Sequence, residues 1–153
     1  DLFGFSRGGR GSVSIVPISG RVLYVEDNPA EVYLLQSVLT KDPAPFELTV
    51  LEDGEKALQF IQAKPFRPDV IVLDLNIPRV DGLTVLALLK ADPSLKSVPV
   101  LVFASPGTPN SKLADDLKAD LCLAKPFDLE GYRQLGDVIR DLHQTRSESV
   151  AAL

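Results

Sequence analysis

A single cysteine, Cys122, in 153 residues leaves no intrachain disulfide framework and no cysteine-built metal site. A reducing compartment is the simplest setting for such a chain. It also lacks an uninterrupted apolar stretch near the roughly 20 residues that span a bilayer, and its glycine-rich start does not look like a secretory signal. A cytoplasmic protein without a membrane partner is expected. Positive charge is in deficit, Lys+Arg 16 against Asp+Glu 21 for a formal net charge of -5, which disfavours nucleic-acid binding by phosphate neutralisation. The expected partner is another protein. No Gly-x-x-x-x-Gly-Lys loop occurs, so nucleotide hydrolysis has no local support. His143 is the sole histidine, and beyond the last apolar stripe it reads as a helix-end cation, not as a phosphoryl carrier or base.

What the chain does have is a core, since 45% of its residues are hydrophobic, enough for one domain. Residues 1–19 read as a flexible tail, with Val13, Ile15 and Val16 as an optional short edge strand. Within it, Arg7-Gly8-Gly9-Arg10-Gly11 carries too few arginines and repeated aromatics to be an RNA-binding segment. From Val22 to Val25 a first buried strand forms and ends in Glu26, Asp27, Asn28 and Pro29. Asn28 can cap the helix that follows, Pro29 suits its first position, and Glu31 completes a capping box. Val32, Leu35, Val38 and Leu39 supply that helix's apolar face. Asp42-Pro43-Ala44-Pro45 breaks it.

Phe46 to Glu52 reads as the second strand, and after the Asp53-Gly54 turn Ala57, Leu58 and Ile61 mark the second helix. Within Asp69 to Pro78, Val70-Ile71-Val72-Leu73 is an apolar, β-branched run suited to a strand covered on both faces, and it ends in the carboxylate of Asp74. Position alone assigns Asp74 equally to helix capping and to chemistry at the sheet's C-terminal edge. Leu83 to Lys90 forms the third helix, through Leu86 and Leu89, and Val98 to Phe103 the fourth strand. A fourth helix is expected with Asn110 or Ser111 as cap and Leu113 and Leu117 inward. Leu121 to Ala124 is a short fifth strand ending at Lys125-Pro126. The last helix starts near Asp128 with Leu135, Val138, Ile139 and Leu142 in a stripe, and residues 146–153 read as a C-terminal tail. Five strands alternating with five helices predict a flavodoxin-like, doubly wound parallel α/β sheet of order 2-1-3-4-5.

That order brings Glu26 and Asp27 beside Asp74, with Lys125 arriving from the fifth strand. Carboxylates about 4 Å apart repel by roughly 4 kcal/mol at an effective dielectric near 20, so three of them should bind a cation or hold a proton. Oxygen ligands with retained waters suit Mg²⁺. The plainer alternative, acids favouring a helix N-terminus, is compatible with metal binding.

Val25-Glu26-Asp27-Asn28, Leu73-Asp74-Leu75-Asn76-Ile77-Pro78, Asp81-Gly82 and Ala124-Lys125-Pro126-Phe127 together resemble the receiver domain of two-component response regulators. The resemblance spans about Arg21 to His143, within a receiver domain drawn at residues 20–145. The form Glu-Asp-Asn-Pro is similar to stand-alone receivers associated with phytochrome-type sensor kinases. The resemblance implies that Asp74 accepts a phosphoryl group from a sensor histidine kinase. It further implies that Asp27 holds Mg²⁺ directly, Glu26 directly or through water, and Asn76 by its backbone carbonyl. Lys125 would pair with a phosphoryl oxygen, and the Lys125-Pro126 bond would be cis. Such a domain is expected to be a signalling module and not an enzyme in the ordinary sense, and no DNA-binding output domain is expected. Homodimerisation through the fourth helix, fifth strand and fifth helix, and a downstream protein target, are implied as well.

Two positions depart from the family pattern. Ala104 stands where a phosphate-binding Ser or Thr is usual, and Cys122 where an aromatic switch residue is usual. Ser105 could supply the hydroxyl only through a bulge, because side chains alternate along a strand. The alternative function is therefore a phosphorylation-independent interaction module on a receiver fold. A flavin-binding carrier is disfavoured, because the first strand ends in acids where phosphate needs bare amides.

Overall fold

Each of the five short apolar runs became a strand of one parallel sheet, and the segments between them became the covering helices. The computed structural model describes residues 17–41 and 44–151. The expectations for Arg7 to Gly11, for Val13 to Val16 and for Asp42-Pro43 lie outside the described residues. In chain order the elements are β1 Gly20–Val25, α1 Pro29–Leu39, β2 Phe46–Leu51, α2 Gly54–Ala63, β3 Val70–Asp74, α3 Gly82–Ala91, β4 Val100–Phe103, α4 Pro109–Asp116, β5 Leu121–Leu123 and α5 Leu129–Ala151. The sheet order is β2-β1-β3-β4-β5, as the alternation predicts.

The register sets where every strand ends. Val25 lies opposite both Leu51 and Leu73, Asp74 opposite Phe103, and Phe103 opposite Leu123. The residues that follow β1, β3, β4 and β5 therefore share one edge of the sheet. Burial on both faces explains the continuous apolar runs: Val70, Ile71, Val72 and Leu73 are all 0% exposed. On one face, α1 and α5 contribute Leu35, Leu39, Tyr132, Leu135 and Ile139. On the other, α2, α3 and α4 contribute Ala57, Phe60, Ile61, Val85, Leu86, Leu89 and Ala114.

Several local expectations are corrected. Thr108, not Asn110 or Ser111, caps α4, its side chain accepting from the Ser111 amide, and Pro109 takes the first helical turn. That shift rotates the helix, so Ser111 and Ala114 are buried while Leu113 is exposed. α5 continues to Ala151, through part of the expected tail, because no glycine or proline interrupts residues 137–151. His143 consequently is not at a helix end. Its Nε2 lies 3.0 Å from the Ser19 carbonyl, and its ring stands edge-on to Phe46. Among the described residues, no helix is long and apolar enough to cross a membrane.

Candidate functional site

The C-terminal edge of the sheet collects the charged residues that the strands deliver. Asp74, the last residue of β3, is buried, and so is Glu26, one residue beyond β1. Asp27 is exposed at the rim. One carboxylate oxygen from each of the three lies within 4.8 Å of the others. Lys125, two residues past β5, reaches across to this cluster. Its Nζ lies 2.8 Å from Asp74 Oδ2, 3.0 Å from Glu26 Oε1 and 2.7 Å from Glu31 Oε1.

The backbone adds its own donors. Asn76 N–H donates to Asp74 Oδ1 at 3.0 Å, and Asn28 N–H donates to Glu26 Oε2 at 3.1 Å. The latter alters the expected capping box. The Asn28 side-chain oxygen accepts from the Ala30 amide at 2.9 Å, but its backbone amide serves Glu26 and not Glu31. Glu31 instead accepts from the Asn28 side-chain amide at 3.0 Å through Oε2, leaving Oε1 facing Lys125.

Electrostatics follow from this burial. Desolvation pushes the Glu26 carboxyl up to about 7, with the Asp74 charge adding to the rise, while Lys125 and the Asn28 amide pull it down. For Lys125, burial works against the charge, but hydrogen bonds to Asp74, Glu31 and Glu26 outweigh it and hold the ammonium above its ordinary value. The ammonium also stands 5.8 Å from the centre of the Phe103 ring. Two buried, converging carboxylates and a third at the rim form an oxygen donor set suited to a hard divalent cation.

The loops hold this edge closely. Asp81 caps α3 by accepting from the Thr84 amide, and a Cβ on Gly82 would run into the Leu75 backbone. Gly54 at the start of α2 donates to the Pro78 carbonyl at 3.1 Å, and a Cβ there would collide with the Val80 carbonyl oxygen. Arg79 adopts a left-handed conformation, φ 75, and its Nε lies 3.3 Å from Asp53 Oδ2.

The surroundings of Ala104 and Cys122, the two positions expected to depart from the family pattern, are also defined. β4 alternates regularly, Val102 belonging to one core, Phe103 to the other, and Ala104 packing again with the first. Ser105 is exposed and gives its carbonyl to Thr108. Cys122 is half-buried, and its thiol donates toward Asp115 Oδ1 at 3.4 Å, tying β5 to α4. Sequence reasoning brought Glu26, Asp27, Asp74 and Lys125 together correctly in space. It assigned Glu31 to helix capping and missed its contact with Lys125, for which the spacing carries no separate signal.

Comparison with known proteins agrees with this geometry. Residues 22–135 match the response regulator receiver domain family. Response regulator Rcp1 of Synechocystis sp. is 36% identical over 115 residues, covering 71% of this chain and 78% of Rcp1. RpaA of the same organism, a DNA-binding transcriptional regulator, is 35% identical over 111 residues, 72% of this chain but 44% of RpaA. The phosphorylated cyanobacterial phytochrome response regulator RcpA superposes with a TM-score of 0.74 at 32% identity, covering 83% of this chain and 95% of RcpA. The Mn²⁺-bound form of Rcp1 superposes with a TM-score of 0.70 at 33% identity, covering 78% of this chain and 91% of Rcp1. Fold, strand-end acids and family match agree, and the chain belongs to the response regulator receiver domains of two-component signalling.

Proposed function

We propose that this chain is a phosphoacceptor that takes a phosphoryl group on Asp74 from a sensor histidine kinase and signals through protein contacts. The observation that carries this reading is the convergence of Glu26, Asp27 and Asp74 within 4.8 Å, beside the Lys125 ammonium. An Asp74 carboxylate oxygen attacks phosphorus, an O–P bond forms, and the P–N bond to the kinase histidine breaks with its electron pair staying on the ring nitrogen. Glu26, Asp27 and Asp74, with the Asn76 backbone carbonyl, would hold Mg²⁺. When bound, Mg²⁺ supplies charge neutralisation for the transferring oxygens. Lys125 holds one phosphoryl oxygen as a point charge, and the Asn76 amide orients Asp74 through Oδ1. Similarity to RcpA, a phytochrome response regulator, supports a phytochrome-type kinase as the donor.

Output would run through protein surfaces, including contact with a downstream target or a second copy through α4, β5 and α5. Phe127 is 94% exposed at a groove of about 580 Å³ lined by Leu123, Pro126, Leu135 and Val138. Such an apolar patch suits a protein partner. Incubation with Mg²⁺ and phosphoramidate, followed by intact mass measurement, tests the reading. The wild type gains the mass of one phosphoryl group and Asp74→Asn gains none. A wild type that stays unmodified, under this donor and under a phytochrome-type kinase, rules the reading out.

A second reading has its own support. Ala104 offers no hydroxyl to a phosphoryl group, and the Cys122 thiol is engaged with Asp115. An interaction module that docks regardless of phosphate would bind its partner equally as wild type and as Asp74→Asn.

A further inference from the structure

An ammonium has three N–H donors, and at Lys125 three carboxylates lie within ion-pair distance. The shortest of these contacts, 2.7 Å, is to Glu31, a residue that the phosphoryl chemistry does not use. A phosphoryl group on Asp74 draws Nζ toward its own oxygens and adds negative charge beside the carboxylates already gathered there. Glu26 is enclosed, its side chain 1% exposed, whereas the Glu31 side chain is 24% exposed, so Glu31 is the carboxylate with room to move away. A phosphoryl group arriving beside it also adds like charge, which drives the Glu31 carboxylate outward.

Glu31 is wired to the interior. Its Oε1 lies 3.5 Å from the hydroxyl of Tyr132, which α5 carries at 1% exposure. Tyr24 on β1, 0% exposed, has its hydroxyl 3.4 Å from Glu26 Oε1 and close enough to Tyr132 that each perturbs the other's ionisation. Two polar chains thus run inward from Lys125, one through Glu31 to Tyr132 on α5 and one through Glu26 to Tyr24 on β1. α1 and α5 are packed tightly enough to share a displacement: a Cβ on Gly136 would press on Val38, and Arg140 bonds to the Val38 carbonyl. The opposite flank lacks the usual moving parts, with Ala104 and Cys122 at those positions.

We propose that Glu31 is a positioning residue that holds Lys125 in the unphosphorylated protein. Phosphorylation opens the Lys125–Glu31 contact and reports to α1 and α5 through the Tyr132 hydroxyl. This rests on the reading of Asp74 as phosphoacceptor. The step itself forms the Asp74 O–P bond and, with phosphoramidate as donor, breaks its P–N bond, the electron pair leaving on nitrogen as ammonia.

The chain has 3 tyrosines, so 3-fluorotyrosine labelling gives three fluorine signals, assignable by single Tyr→Phe variants. Tyr33, 68% exposed, is the internal reference. With Mg²⁺ and phosphoramidate, the Tyr132 signal of the wild type moves by more than its linewidth and by more than that of Tyr33. Glu31→Gln keeps the shape and removes the charge. In it the Tyr132 signal starts near the phosphorylated position, moves little on reaction, and the adduct forms several-fold faster. Hydrogen exchange adds a readout that needs no variant: on phosphorylation of the wild type, protection changes in α1 and α5 more than in α4. A wild type that takes the adduct with Tyr132 unmoved, a change confined to α4, or Glu31→Gln behaving as wild type would each overturn the proposal. Failure to form any adduct, read from mass alone, with phosphoramidate and with a phytochrome-type kinase, instead overturns the phosphoacceptor reading beneath it and this proposal with it.

Discussion

Cys122, expected from the family resemblance to stand where an aromatic ring is usual, has the surroundings of a structural thiol. Burial pushes its pKa up to about 11, and the Asp115 carboxylate that accepts its proton adds to the rise. Only about one thiol in a thousand would be thiolate at pH 8, so alkylation by iodoacetamide should run roughly a hundredfold slower than on a free thiol. Asp115→Asn should speed it. A rate equal to that of free cysteine would show that the Asp115 contact does not persist in solution. The linkage has a definite sign: a pKa raised on folding contributes stability that is fully present below the unfolded value of 9.0 and is lost as pH rises through about 11. The sequence placed Cys122 in the short fifth strand, which is half of this. Its Asp115 partner comes from α4, whose rotation depends on Thr108 being the cap. Glu31 was illegible for a related reason, because a capping glutamate and a lysine-holding glutamate need the same spacing after Asn28.

At the scale of elements, strand identities were legible because burial on both faces demands unbroken apolar runs, as in Val70 to Leu73. Helix starts were legible where one polar residue precedes proline, as at Asn28-Pro29. At α4 the same Thr108-Pro109 signal was present, but Asn110 and Ser111 are equally good caps by residue type and competed with it. The start of α2 bears more directly on the site. Gly54 lies against Val80 in the loop that follows Asp74, and its amide holds Pro78. Gly54→Ala should therefore cost about 1–3 kcal/mol from overpacking against backbone that cannot swing aside. It should also slow phosphorylation by displacing the β3–α3 loop. Urea unfolding measures the first effect and adduct formation the second. Unchanged stability would mean that the loop relaxes freely.

For the whole molecule, the parallel order β2-β1-β3-β4-β5 concentrates Glu26, Asp27 and Asp74 at one edge. Their mutual repulsion is relieved by a divalent cation, so cation binding and folding are linked. At a hundredfold excess of Mg²⁺ over its Kd the gain is about 2.7 kcal/mol. Thermal unfolding should shift upward with Mg²⁺, return on adding a chelator, and shift less in Asp27→Asn. A melting temperature indifferent to Mg²⁺ would deny the cluster its cation. The topology itself was readable from the count and alternation of elements, because crossover handedness leaves few arrangements.

The contact between His143 and the Ser19 carbonyl has a practical corollary. It brings the later part of α5 to the start of β1, at the far end of the sheet from Asp74 and Lys125. Cargo joined ahead of Ser19 or beyond α5, whether a fluorescent protein or a surface tether, is therefore attached away from the acidic edge. The domain can be mounted on either side of that contact with its acidic edge open to solution.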